Sequence, residues 1–376
     1  ERGMGVVSGR DEVKLGLDGS STTALMLDRV TVPGGNVLGE IGQGHKVAFN
    51  ILNFGRVKLG ARNMACAKIA LSNAVAYAKE RRQFGRAISE FGLIKRKIAE
   101  MSIRCFVGDA MTYRTIGDVD RALEMVNPND NVGVLKTIEG FAVECSINKV
   151  YTCEALAYVV DEALQVFGGN GYSREFPAER AYRDARITRI YEGTNEINRL
   201  IIPTRLLKQG LGTRDKGLVG GSDRGAATSK GAPGVLADER SLLDAVKRLA
   251  LGLLSEAAAA YGEGVKEEQE VLADIADAVI DVYAVESAIA RAEKISTARG
   301  AEAAAVALDM TRAFATDAAD RMARLARQVA RAQAAQQRGT SIANLSAPLA
   351  AYEGVDGVAS RRRFADAVIT AGKYQL

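Results

Sequence analysis

Arg189-Ile190-Tyr191-Glu192-Gly193-Thr194-Asn195-Glu196-Ile197 sets a carboxylate immediately before a Gly-Thr turn. A basic, aromatic approach, Tyr182-Arg183-Asp184-Ala185-Arg186, leads into it. Upstream stands a second motif, Gln165-Val166-Phe167-Gly168-Gly169-Asn170-Gly171-Tyr172. Taken singly, neither says much. Glu192 alone reads as a helix-start carboxylate favoured by the helix dipole, and a Phe-Gly-Gly-Asn-Gly run simply ends a helix. The pair at this separation says far more.

Around these motifs the period is helical. Phe91, Ile94, Ile98, Met101 and Cys105 recur at intervals of three and four, which puts them on one face. Long helices are predicted over 44–80, 132–166 and 194–208, with Pro128 in Asn127-Pro128-Asn129-Asp130 marking a loop between helices. Helices of this length with short connections build an antiparallel bundle. Ahead of them, residues 1–33 read as strands and turns. Ser20 to Leu27 and Val30-Thr31-Val32 are the strand-like runs, and Pro33-Gly34-Gly35-Asn36 ends the pattern. A few strands without the rest of a sheet expose unpaired edges, so this remnant must lean on the helices or on a segment outside the chain.

Residues 209–235 have linker composition, with Gly-Gly, Ser, Lys and Pro and no period. Beyond them Leu272, Ile275, Val279, Val282 and Ile289 share one face, and the Ala-rich stretch 298–335 favours helix intrinsically. The expected fold class is mainly α. A short β remnant over 1–43 precedes a helical bundle over 44–208, a flexible linker over 209–235 and an additional helical domain over 236–376.

The two motifs closely resemble the C-terminal catalytic region of the acyl-CoA dehydrogenases, flavoenzymes that desaturate fatty acyl thioesters between Cα and Cβ. The layout, with its second helical bundle, resembles the very-long-chain branch. Lys14-Leu15-Gly16-Leu17-Asp18-Gly19-Ser20 is similar to the turn that closes the family's β-domain. The resemblance implies that the first helical domain and most of the β-domain lie outside this chain. Desaturation needs a base held over Cα, preorganised donors on the thioester carbonyl and a hydride acceptor at Cβ. A carboxylate serves as the base where apolar surroundings raise its proton affinity.

By resemblance Glu192 is that base, its own backbone N–H is one carbonyl donor, and Gly193 contacts the substrate. Thr194 and Glu196 line the flavin. Some relatives, such as isovaleryl-CoA dehydrogenase, carry the base on an earlier helix, just before a substrate-contacting arginine. Here that stretch is Leu52-Asn53-Phe54-Gly55-Arg56, and Gly55 cannot act as a base. Arg56 and Asn53 remain as implied substrate contacts, Arg56 toward the CoA portion. Glu80-Arg81-Arg82-Gln83-Phe84-Gly85 resembles the family's Glu-Arg-x-x-Phe-Gly turn. Arg81 would reach the FAD pyrophosphate of a neighbouring subunit with its forked donors, and Gln83 and Phe84 would sit against the same cofactor. Gln165, Gly168 and Gly169 would bind the adenine half across the interface, glycine letting backbone approach closely. The implied cofactor is FAD, the implied partners acyl-CoA and electron-transfer flavoprotein, and the implied assembly a homodimer or homotetramer.

Composition sets bounds on the remaining readings. The chain has 376 residues, 47% hydrophobic and 26% charged, enough for two or three domains. Lys+Arg 50 against Asp+Glu 46 leaves only +4, which argues against a nucleic-acid binder. Arg361-Arg362-Arg363 reads as a solvated helix start. With one histidine, His45, read as structural, and no CxxC spacing, there is no zinc constellation. Cys66, Cys105, Cys145 and Cys153 read as small buried apolar groups in a reducing compartment. Arg321, Arg324, Arg327 and Arg331 form a basic stripe opposite Met322, Leu325 and Val329. An interfacial membrane helix would show that pattern, and a bundle helix with a solvated outer face, the favoured reading, needs it equally. The chain opens at Glu1 without methionine, so the native N-terminus is expected upstream. The expected location is cytoplasmic in a bacterium and mitochondrial in a eukaryote. Two further readings of the chain are a non-catalytic helical scaffold derived from the family and an acyl-CoA oxidase.

Overall fold

The computed structural model describes residues 5–210, 234–334 and 342–374. The chain enters as an antiparallel hairpin of β1 (Val6–Asp11) and β2 (Thr23–Leu27), with Val6 opposite Leu27. The strand expected over Val30–Val32 does not form. Arg29 adopts a left-handed φ of 47°, which turns the chain out of the ladder ahead of Pro33. The hairpin's connection leans on the helices. Asp184 Oδ1 accepts from the Leu17 N–H at 2.6 Å, and Arg183 donates to the Leu15 carbonyl at 2.9 Å.

α1 (Gly44–Glu80) runs 37 residues, about 55 Å at 1.5 Å per residue. A short turn with two-residue strands β3 (Arg82–Gln83) and β4 (Arg86–Ala87) returns the chain into α2 (Gly92–Glu124). Of the predicted face, Ile98, Met101 and Cys105 are fully buried, while Phe91 and Ile94 sit half-buried at the helix entrance. The helix expected over 132–166 is two helices, α3 (Asn131–Gly140) and α4 (Ala142–Phe167). They part at Gly140-Phe141, where the weakest non-proline helix former costs about 1 kcal/mol. The Asp130 side chain caps α3 by accepting from the Gly133 N–H. α5 (Pro177–Ala185) leads to α6 (Asn195–Lys208), capped by the Thr194 hydroxyl.

The expected linker falls largely outside the described residues. The chain resumes into α7 (Ala237–Tyr261), α8 (Gln269–Arg299), α9 (Ala301–Ala334), α10 (Ile342–Ala350) and α11 (Gly357–Ala371). The Ala-rich stretch 298–335 is helical over its described residues apart from one glycine. Gly300, at φ 86°, ends α8 and α9 begins beside it. On α8, Leu272, Ile275 and Ile289 are buried while Val279 and Val282 are partly so. On α9, Met322, Leu325 and Val329 are buried while Arg324, Arg327 and Arg331 face outward. The apolar stripe is therefore spent inside the bundle. Arg321 leaves the basic row and pairs with Asp281 through two hydrogen bonds, at 2.7 and 3.0 Å.

One apolar core runs from α1, α2 and α4 into α7, α8 and α9. Polar ties cross the same boundary. Tyr283 shares a 2.7 Å hydrogen bond with Thr115, and Arg114 meets Glu286 at 2.8 Å. Two expectations about surface residues fail. Cys66 is exposed, because it lies on the outer side of α1. Arg361 is not solvated. Its side chain is only 13% exposed and bridges Glu100 of α2 to Asp317 of α9. Removing one member of a buried ion cluster strands the others. We expect Arg361→Ala to lower unfolding free energy by about 2 kcal/mol in urea titration. Arg363→Ala, whose pair with Asp309 is exposed, should change it by under about 0.5 kcal/mol.

Candidate active site at the Glu192 turn

Between the 3-10 turn Arg186–Arg189 and α6, the backbone reverses through two consecutive left-handed residues, Glu192 at φ 58° and Gly193 at φ 79°. Glycine takes that conformation freely, but a residue with Cβ loses on the order of 1–2 kcal/mol. Surrounding hydrogen bonds hold it there. Asn198 Nδ2 donates to the Gly193 carbonyl at 2.9 Å and to the Thr194 carbonyl at 3.0 Å. Arg56 Nε donates to the Glu192 carbonyl at 3.2 Å from α1.

The conformation aims the Glu192 side chain at α1, over Gly55. A Cβ built on Gly55 would lie 2.7 Å from Oε2 and 3.1 Å from Oε1. Glycine at 55 is what leaves room for the carboxylate. Oε2 is buried and accepts no hydrogen bond, and the Glu192 N–H donates to no protein acceptor among the described residues. An unpaired buried carboxylate oxygen is costly, and such a group at the head of a turn is available to take a proton.

Arg56 and Asn53 lie beneath this turn, 6% and 5% exposed, with Arg56 donating to Asn53 Oδ1 at 2.9 Å. Burial holds the Arg56 guanidinium below its ordinary value, against the opposing pull of Cys145 and Glu192. Gly193 is flanked by Asn198 and Arg56. Thr194 spends its hydroxyl on the Ile197 N–H as the cap of α6. Glu196 is exposed, and its own backbone N–H and the Thr194 hydroxyl keep its carboxyl below the usual range.

Three residues absent from the sequence expectations complete the turn: Lys149, Asn195 and Asn198. Lys149 is fully buried and donates to Asn195 Oδ1 at 2.7 Å. Asn195 Nδ2 in turn donates to Glu154 Oε1 at 3.0 Å. Arg199 grips the same Glu154 with two nitrogens and reaches Asp277 of α8 at 2.8 Å. In the sequence, polar residues inside apolar helices were the available signal. Ser146, Asn148, Lys149 and Thr152 stand together on α4, and all are buried. A cavity of about 340 Å³ between α2, α4, α8 and α9 has Glu154 and Arg199 in its wall. Its walls pair acid with arginine and offer no unpaired carboxylate.

The remaining predicted residues gather at the opposite end of α1. Arg81 caps that helix, Gln83 lies in β3, and Phe84, at φ 52°, is 91% exposed. Gln165, Gly168 and Gly169 are exposed at the end of α4. The two ends are fastened by Tyr77 stacked on Phe167 at 4.3 Å and by Asn170 Nδ2 donating to the Tyr77 hydroxyl. A Cβ at Gly168 or Gly169 would meet nothing within 4 Å, so bare backbone faces open space. Arg56 and Arg81 are 25 residues apart along α1, about 37 Å. The structure thus presents two groups of predicted residues rather than one.

Fold and site define a helical-bundle protein that holds a buried carboxylate on a strained turn. Two family models, both described as acyl-CoA dehydrogenase, C-terminal domain, match residues 42–207 and 245–342, together most of the chain. The chain belongs to the acyl-CoA dehydrogenase family. It is 41% identical over 326 residues to a probable acyl-CoA dehydrogenase of Bacillus subtilis, covering 84% of this chain and 54% of that protein. To the rat very long-chain specific acyl-CoA dehydrogenase it is 33% identical over 313 residues, covering 77% and 46% respectively. A crystal structure of an acyl-CoA dehydrogenase complexed with FAD from Bacillus anthracis superposes with TM-score 0.90 at 33% identity. That match covers 99% of this chain and 65% of the other. The chain spans about half the length of the curated relatives it matches.

Removing the Asn198 side-chain amide would leave the Gly193 carbonyl unpaired, while the Thr194 carbonyl keeps the Asn198 backbone N–H at 3.0 Å. Asn198→Ala should cost about 1–3 kcal/mol of stability, read by urea denaturation.

Proposed function

We propose that this chain carries the base and part of the flavin grip of an FAD-dependent acyl-CoA dehydrogenase. Its reaction is α,β-desaturation of fatty acyl-CoA in β-oxidation, and electron-transfer flavoprotein is the proposed acceptor of the electrons. A long-chain preference follows the very long-chain specific relatives. The observation that carries the reading is the Glu192 carboxylate, seated over Gly55 with a buried oxygen that no donor among the described residues engages.

Glu192 takes the α-proton of the thioester. The reverse turn presents its own free N–H beside the carboxylate, a donor suited to a carbonyl oxygen that gains negative charge. Arg56, buried and cationic next to the Glu192 carbonyl, adds positive potential where that charge develops. Its buried position favours this role over a direct grip on the outer part of CoA, and Asn53 orients it.

The other end of α1 fits a dinucleotide. Arg81 offers forked donors to a pyrophosphate, the exposed Phe84 ring and Gln83 offer a flat and a polar contact, and Gly168 and Gly169 expose backbone with no side chain in the way. When bound, the flavin supplies hydride acceptance at the substrate's Cβ. Thr194 and Glu196 flank the base on the side proposed for it. About 37 Å separates Arg81 from the base's helix position, farther than one dinucleotide reaches. The Arg81–Gln165 group therefore serves a flavin held mainly by another subunit, and a homodimer or homotetramer follows.

Glu192→Gln in the full-length protein should keep its yellow flavin absorbance and lose turnover by about a thousandfold or more. Full retained turnover would remove Glu192 from the role of base. Oxygen-dependent peroxide release by the unaltered protein would make it an oxidase, and absence of flavin would make it a scaffold. Arg81→Met should lower flavin content about tenfold or more at limiting FAD, measured as the ratio of flavin to protein absorbance.

A further inference from the structure

We propose that Lys149 is a positioning residue for the Glu192 turn. Its ammonium, through Asn195, holds the first turn of α6 in the register that keeps the carboxylate over Gly55. This rests on the reading of Glu192 as the base.

Lys149 lies on α4 with no exposed surface, and Asn195, the first residue of α6, is 2% exposed. The 2.7 Å hydrogen bond from Nζ to Asn195 Oδ1 is therefore shielded from water. The other end of the same amide donates to Glu154 at 3.0 Å. Chemistry fixes the amide's orientation, since oxygen must face the ammonium and nitrogen the carboxylate. One short side chain is thus fastened at both ends to α4, just after the cap Thr194 and three residues beyond Glu192. On the opposite side, Arg56 of α1 holds the Glu192 carbonyl.

A lysine is an expensive way to fill an interior position. Burial disfavours its charged form and holds its proton affinity below the ordinary value, with Cys153, Glu196 and Glu154 pulling back and Arg56 opposing. An apolar side chain would pack the same space without that penalty. What only the ammonium provides is a charge-assisted, directional bond to Asn195. The element it fixes begins directly behind a left-handed glutamate. Released from the clamp, Glu192 has a downhill path to ordinary backbone angles, and its carboxylate leaves Gly55.

Lys149→Met keeps chain length, removes the charge and leaves a side chain suited to the interior. In the flavin-loaded full-length protein, amide exchange over residues 190–198, read by mass spectrometry, should rise about tenfold or more, while exchange in α2 and α9 stays unchanged. Turnover should fall about a hundredfold, as expected for a base displaced by an ångström. KM for acyl-CoA should stay within about threefold and flavin content should be unaltered. Asn195→Leu, which leaves the lysine in place and removes its acceptor, should reproduce the pattern. Unchanged exchange and turnover in both variants overturns the proposal. Parallel loss of turnover, flavin and thermal stability also overturns it, because that marks a merely structural lysine. Should Glu192→Gln keep full turnover, the base assignment falls, yet the exchange measurement still decides whether Lys149 holds the turn.

Discussion

Glu192 occupies a backbone conformation that a residue with a side chain avoids, and the site depends on that strain being held. At φ 58°, followed by Gly193 at 79°, the chain reverses sharply enough to point a carboxylate back at α1. Strain of this kind, on the order of 1–3 kcal/mol, persists only where the surroundings over-determine it. Here they do so from two directions. Arg56 holds the Glu192 carbonyl from α1, and Asn198 holds the next two carbonyls from within α6. Gly55 completes the arrangement by having no side chain where the carboxylate lies.

The long helices give this turn its rigidity. Both α1 and α4 are packed along their length through fully buried residues such as Leu71, Ala74 and Val159. The second bundle extends the support. Asp277 of α8 receives Arg199, Arg199 holds Glu154, and Glu154 holds Asn195 beside the strained residue. The C-terminal helices thereby act as a brace behind the site.

Much of this was legible in the sequence. Apolar spacing showed the buried face of α2, the helical stretches expected over 44–80 and 194–208 match α1 and α6, and the Glu-Gly-Thr and Gly-Gly-Asn-Gly motifs fall at the strained turn and at the exposed end of α4. What the sequence did not show has common physical causes. The breaks at Gly140-Phe141 and Gly300 each fall at a lone glycine inside a longer helical stretch, and a cost of about 1 kcal/mol is too small for sequence alone to place a break there. Lys149 and Arg361 carry side chains that usually face water. Their burial is set by partners distant in the chain, Asn195 for one and Glu100 and Asp317 for the other. Cys66 went the other way. A thiol's apolar preference is too weak to choose a helix face, and the face was set by Met64, Ala67 and Leu71 beside it. The role of Gly55 was anticipated only as an absence of a base, whereas the geometry makes it the space the Glu192 carboxylate fills.

The length of α1 between its two functional ends has a genetic corollary under the proposed exchange of contacts between subunits. A chain crippled at position 192 still lends an intact Arg81 to its neighbour, and a chain crippled at position 81 still brings a sound base to its own centre. Co-assembled in a dimer, two such defective alleles concentrate both lesions in one centre and leave the other whole. Allelic complementation, rather than dominance of either defect, is the inheritance pattern this helix imposes.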